Sequence, residues 1–167
     1  MSVREDILAR LTVVASGVSG IVSGLRNSTA AADTQLPAII VYDADEIANE
    51  RDPASRPTRT PRRVSMTPEI LIKVVGVPES VGTTMNAILA ELQLAVVTDA
   101  TLIQLVKDGE IRYMGCATQL AIGRAMVGEM GVSFSFHYIL CHPSNSPLGQ
   151  RRYHRCEATL LLTERPN

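Results

Sequence analysis

The chain has no tryptophan, two phenylalanines and four tyrosines in 167 residues. A core must therefore rest on Val, Ile, Leu, Ala and Met rather than on large rings. Only three cysteines are present, Cys116, Cys141 and Cys156, an odd number at wide spacing. That pattern argues against a disulfide framework and for free or buried thiols in a reducing compartment. No secretory leader pattern opens the sequence, and its apolar runs read as short of a membrane span, so a soluble, unexported protein is expected. The net charge of −1 removes the basic excess of proteins that coat nucleic acid. Lysine is scarce as well: Arg outnumbers it fourteen to two. Arg brings a rigid fork suited to carboxylates and phosphates, a preference compatible with interfaces.

Motifs that carry chemistry are equally sparse. There is no phosphate-binding glycine loop, no dinucleotide fingerprint and no glycine elbow that exposes a nucleophile. Gly17-Val18-Ser19-Gly20 lies within a helical pattern instead. Cys141, His142, His154 and Cys156 invite a zinc reading, but neighbours on extended backbone point to opposite sides, and zinc pairs favour wider spacing. Asp43, Asp45 and Glu46 resemble a magnesium-binding carboxylate group, since alternate strand residues share a face. A small metal-dependent enzyme built on them is the less favoured alternative. The expectation is no enzyme, no metal and no cofactor.

What the sequence does have is a polarised insert, Asp43 to Arg63, between two strand-like runs. Asp43, Asp45, Glu46 and Glu50 fill its first part; Arg51, Arg56, Arg59, Arg62 and Arg63 fill its second, spaced by Pro53, Pro57 and Pro61. Prolines and charges keep such a segment out of a core, and unstructured loops of this length are usually functional or disordered. An acid-then-base arm suits pairing with a neighbouring subunit, and a head-to-tail ring would set each half against its complement.

Around the insert the pattern is regular. Ser2 and Glu5 have capping-box spacing, and Val3, Ile7, Leu8, Leu11, Val14, Val18, Ile21 and Val22 predict a helix over Ser2–Leu25. Gly17, Gly20 and Gly24 weaken its second half or let another backbone approach. Ala38–Tyr42 reads as a strand covered on both faces. Met66, Pro68, Ile70, Ile72 and Val74 fall on one face of a second strand, forming a hairpin with the insert as its tip. Pro78-Glu79-Ser80 opens a helix whose stripe is Val81, Met85, Ile88, Leu89, Leu92 and Val96. Asp99 is placed to cap a short helix over Ala100–Val106, and Ile111–Ile122 and Val132–Leu140 read as strands. The expected architecture is α+β: a mostly antiparallel sheet of four to five strands, with two main helices packed on it and a long charged hairpin loop. Residues 1–140 form one domain. Residues 141–167 form an extension in which Arg151, Arg152 and Arg155 precede the apolar Leu160, Leu161 and Leu162. That trio is expected to add a strand to a sheet edge of its own or a neighbouring subunit, carrying the Arg cluster to a lumen or partner surface.

Taken in order, these segments resemble the tail-terminator proteins of long-tailed bacteriophages. The similarity runs from Val3 to Leu140. It comprises the N-terminal helix ending near Leu25-Arg26-Asn27, then Leu36-Pro37-Ala38-Ile39-Ile40-Val41-Tyr42-Asp43, and a charged loop leading to Thr67-Pro68-Glu69-Ile70-Leu71-Ile72. The helix Asn86–Val97 follows, with Asp99 and Leu102 behind it, then Ile111-Arg112-Tyr113-Met114-Gly115 and the run Met126–Tyr138. The extension beyond Cys141 has no counterpart. The resemblance implies a homo-hexameric ring on the last tail-tube ring, stopping tube polymerisation and offering a surface to the head connector or stopper. DNA would pass non-specifically through its lumen. The protein would sit in the tail or neck of the virion, after assembly in the host cytoplasm. A head-completion or stopper role in the same neck is the nearest alternative.

Overall fold

The computed structural model describes residues 2–29, 31–48, 61–106, 109–122 and 125–140. In chain order the elements are α1 (Val3–Ser16), β1 (Ser23–Arg26), β2 (Ala38–Tyr42), β3 (Glu46–Ala48), β4 (Arg62–Met66), β5 (Glu69–Gly76), α2 (Pro78–Thr98), α3 (Ala100–Leu105), β6 (Glu110–Ile122) and β7 (Met126–Leu140). The α+β class is as expected: the described residues form three α-helices and one mostly antiparallel, open sheet. The sheet has seven strand segments rather than four or five. β3 and β1 arise where loop and helix were expected, and one expected strand is broken in two, into β4 and β5.

The break at Thr67-Pro68 shows how. Met66 lies opposite Phe136 and Glu69 opposite Ser133, so β4 and β5 meet the same edge of β7 in one unslipped register. Proline has no N–H to give the ladder, and here it interrupts one long strand without shifting it. Across that strand, β2 pairs with β5 and β3 with β4, both antiparallel. The expected hairpin therefore exists. The insert is not loop throughout, however: Glu46 belongs to β3, and Arg62 and Arg63 belong to β4.

The N-terminal helix is the larger correction. It was expected to reach Leu25, but it ends at Ser16, and Ser23–Arg26 becomes a strand parallel to β2. Gly17 takes the cap position, and Gly20 adopts φ +81°, a conformation open to glycine at no steric cost. Gly24 then passes so close to the end of α1 that a Cβ there would lie 1.7 Å from Ser16 Oγ and 2.9 Å from Ser16 Cα. The small residues at this junction thus serve a close backbone approach. At the other end of the helix, Ser2 Oγ accepts from the Glu5 amide at 3.3 Å, but the Glu5 carboxylate turns to Arg26 rather than completing the box.

One core lies between the helices and one face of the sheet. Ile7, Leu8, Leu11 and Ala15 of α1 and Val81, Met85, Ile88, Leu92 and Val96 of α2 meet Ile70, Ile72, Val74, Met130, Val132, Phe134 and Phe136. Both phenylalanines of the chain are fully buried there. Ala38, Ile39, Ile40 and Val41 are all at most 1% exposed, as a strand covered on both faces requires. Gly128 admits α2: a Cβ at that position would stand 2.6 Å from Val81 and 2.7 Å from Met85 Sδ. Contrary to the expectation of short apolar runs, α2 is long and apolar enough, by length and composition, to cross a membrane. In this fold its buried stripe packs on β5 and β7, the setting of a core helix. Asp99 caps α3 as expected, accepting from the Leu102 amide at 2.8 Å, and also takes a two-pronged contact from Arg10 at 3.1 and 2.6 Å.

The Gly24 approach is directly testable. Gly24→Ala must push β1 from α1 or displace Ser16, and is expected to cost about 1–3 kcal/mol by overpacking. Gly24→Ala/Ser16→Gly should recover part of that loss in urea melts. Equal stability of Gly24→Ala and the parent chain would refute the packing assignment.

Candidate interaction surface

The root of the charged arm draws on five elements, α1, β1, β2, β3 and β7. β1 is followed by Asn27, whose positive φ of 52° suits Asn. Its amide donates to Val41 O at 2.9 Å, and its side-chain Oδ1 accepts from the Asp43 amide at 3.0 Å. Arg26, next to it, serves two carboxylates. Its Nε and Nη2 donate to Asp43 at 2.8 and 2.9 Å, and its Nη1 and Nη2 donate to Glu5 at 2.6 and 2.9 Å. Arg4 donates to Ala44 O at 2.7 Å, pinning the next residue. Glu46 accepts from the hydroxyl of Tyr138, which is 2% exposed. Burial, then the Glu46 carboxylate, pushes the Tyr138 hydroxyl well above its ordinary range.

These contacts separate the three acids of the proposed carboxylate group. Asp43 faces Arg26, Glu46 faces Tyr138, and Asp45 is exposed between them. Among the described residues no three His, Cys, Asp or Glu side chains gather as metal ligands. Arg62 and Arg63 stand on β4 at successive positions, hence on opposite faces, Arg62 half-buried and Arg63 exposed. Glu50, Arg51, Arg56 and Arg59 lie outside the described residues. So do Arg151, Arg152, Arg155, Leu160, Leu161, Leu162 and the Cys141/His142/His154/Cys156 set.

A second polar cluster sits on the sheet face away from the helices. Ser135 Oγ is 3.1 Å from His137 Nε2, and Thr67 donates to Ser135 at 3.5 Å. Glu110 lies opposite His137 in the ladder, but its carboxylate receives Arg112 at 2.8 and 3.3 Å. The serine is 5% exposed, so this network braces strands rather than presenting an oxygen to solvent.

The surface that sequence reasoning missed is β6. The strand itself was expected; its exposure was not. It pairs with β7 over twelve positions, with a bulge between Tyr113 and Gly115, where Gly115 takes φ +137°. Among the described residues no strand pairs its other edge. Nearly all its side chains from Glu110 to Ala121 are exposed, including Tyr113 at 38%, Met114 at 56% and Leu120 at 51%. Leu94 and Val97 of α2 and Ile103 of α3 are exposed as well. A shallow cleft of about 390 Å³ separates α3 from the start of β6, lined by Val97, Ile103, Val106, Gly109 and Ile111 among others. Tyr113 stacks edge-on against Phe134 at 5.6 Å, anchoring the strand at this point. The available signal was the uncharged, proline-free run Met114–Ile122, but no local pattern tells an edge from a centre.

No protein-family model matches the chain, and no curated protein matches it.

The arm root should titrate. Arg26 holds the Glu5 and Asp43 carboxyls below their ordinary 4.5 and 3.8, chiefly by hydrogen bonding. Depressed carboxyls stabilise the fold above their unfolded values, and that stability disappears as pH falls through the folded ones. Urea midpoints should therefore drop from about pH 5 to about pH 3, and Arg26→Ala should drop less over that window. Parallel pH profiles for the two chains would disprove the linkage.

Proposed function

We propose that this chain is a structural subunit of a phage neck: a tail terminator that assembles as a head-to-tail homo-hexameric ring on the end of the tail tube. One observation carries the reading. Among the described residues the sheet bears two unlike surfaces: the braced β3–β4 root from which the charged insert departs, and, on the far side of β7, the long open edge of β6. Unlike surfaces on one subunit favour heterologous contacts, which close into rings when the rotation permits. The element order also fits the resemblance drawn from the sequence: helix, paired strands with a charged tip, long helix, terminal hairpin.

In this reading the chemistry is recognition rather than catalysis. Asp45 and the Arg residues of the arm supply charge to a neighbour, while Asp43 and Glu46 hold the arm's base. The tail tube lies below the ring and the head connector or stopper above it. DNA crosses the lumen without sequence readout, and the assembled protein resides in the virion.

The arm is the place to test it. A variant with Arg51, Arg56, Arg59, Arg62 and Arg63 all changed to Ala should keep a cooperative melt, with exposed positions each within about 0.5 kcal/mol. Its assembly, followed by native mass measurement and by electron microscopy with tail tubes, should weaken, and raised salt should weaken the parent chain likewise. A parent chain that stays monomeric and absent from particles would end the proposal.

A further inference from the structure

The described fold leaves three sheet edges, and they are not equivalent acceptors. β1 offers four residues against the end of α1, and β3 offers three beside the arm. β6 offers thirteen, and from Met114 to Ile122 it carries neither charge nor proline. Natural edges are normally blunted by such residues, so an edge of this length and composition calls for a cover.

The chain carries a segment of matching chemistry. Ala158-Thr159-Leu160-Leu161-Leu162-Thr163 is uncharged, and in extended form it sets Leu160 and Leu162 on one face and Leu161 on the other. Added to β6, it would satisfy main-chain groups while its leucines cover exposed apolar side chains of that strand such as Leu120. The seventeen residues between Leu140 and Ala158 span up to roughly 55 Å, more than the length of β6.

Direction decides whose β6 is covered. Leu140 lies opposite Arg62, so the extension leaves beside the arm. β7 itself ends beyond the start of β6, whose Glu110 faces His137, and runs in the direction opposite to β6. To cover its own β6 the extension must either reverse and lie parallel or first run the whole length of β6 and return. The corresponding segment of another copy can enter antiparallel, the more stable ladder. We propose that Ala158–Thr163 of one copy adds a strand to the free edge of β6 in its neighbour. This rests on the ring reading and supplies its junction with a second, apolar contact.

Native thiols test it. Cys116 is exposed on β6, and Cys156 lies two residues before Ala158. With Cys141→Ser to silence the third thiol, a short bismaleimide applied to the assembled full chain should give interchain adducts on denaturing gels. Cys116→Ser or Cys156→Ser should abolish them. Leu160→Asp/Leu162→Asp should lower their yield about tenfold while the chain keeps a cooperative melt. Rings that form normally without the interchain adduct, or with an intrachain adduct only, overturn this proposal and leave the ring reading standing. A chain that never assembles overturns both.

Discussion

The unslipped pairing of β7 is the constraint on which the rest of the molecule depends. One edge of this fifteen-residue strand carries β5 and β4 in a single register, and the other carries β6. Its alternation places Met130, Val132, Phe134, Phe136 and Tyr138 in the core. A one-residue slip would turn all five outward, so the hydrophobic term fixes the register strongly. It also decides where the interruption at Pro68 can be absorbed and which residue of β4 stands beside the end of β7.

From that spine follows the position of the arm. β4 pairs with β7, β3 pairs with β4, and the hydroxyl of Tyr138 on β7 reaches back to Glu46 on β3. Arg26 then joins α1, β1 and the residue after β2 through Glu5 and Asp43. These are exposed or half-exposed ion pairs, individually modest in worth. Their effect is geometric: one guanidinium uses four donor contacts to hold two acids from distant parts of the chain. The acidic half of the insert thus divides its labour, with Asp43 and Glu46 serving the fold and Asp45 left to solvent.

The far side of β7 is governed differently. α2 buries one stripe on β5 and β7 and leaves β6 largely uncovered. The result is an apolar strand edge next to exposed Leu94, Val97 and Ile103. The two sides of the sheet therefore offer different chemistry, charge at the root of the arm and free main-chain groups with apolar side chains at β6.

Much of this was legible in the sequence. Period-two runs identified β5 and β7, a period of three to four identified α2, Asp99 identified the cap of α3, and a β-branched run identified β2. These signals are local, because burying one face of an element dictates its own spacing. Other features were set by distant parts of the chain. Ile21 and Val22 continue the helical spacing of α1, yet the chain beyond Ser16 turns into a strand, because Gly24 can pass the helix end and Ser23–Arg26 finds a partner in β2. The Glu5 carboxylate keeps capping-box spacing but goes to Arg26. The acids of the insert look alike in sequence and are sorted only by which partner, Arg26 or Tyr138, folding brings to them. The exposure of β6 was hidden for the same reason. A sequence fixes which residues want to be covered, whereas which edge is left uncovered depends on the order in which strands pair, and that is a property of the whole sheet.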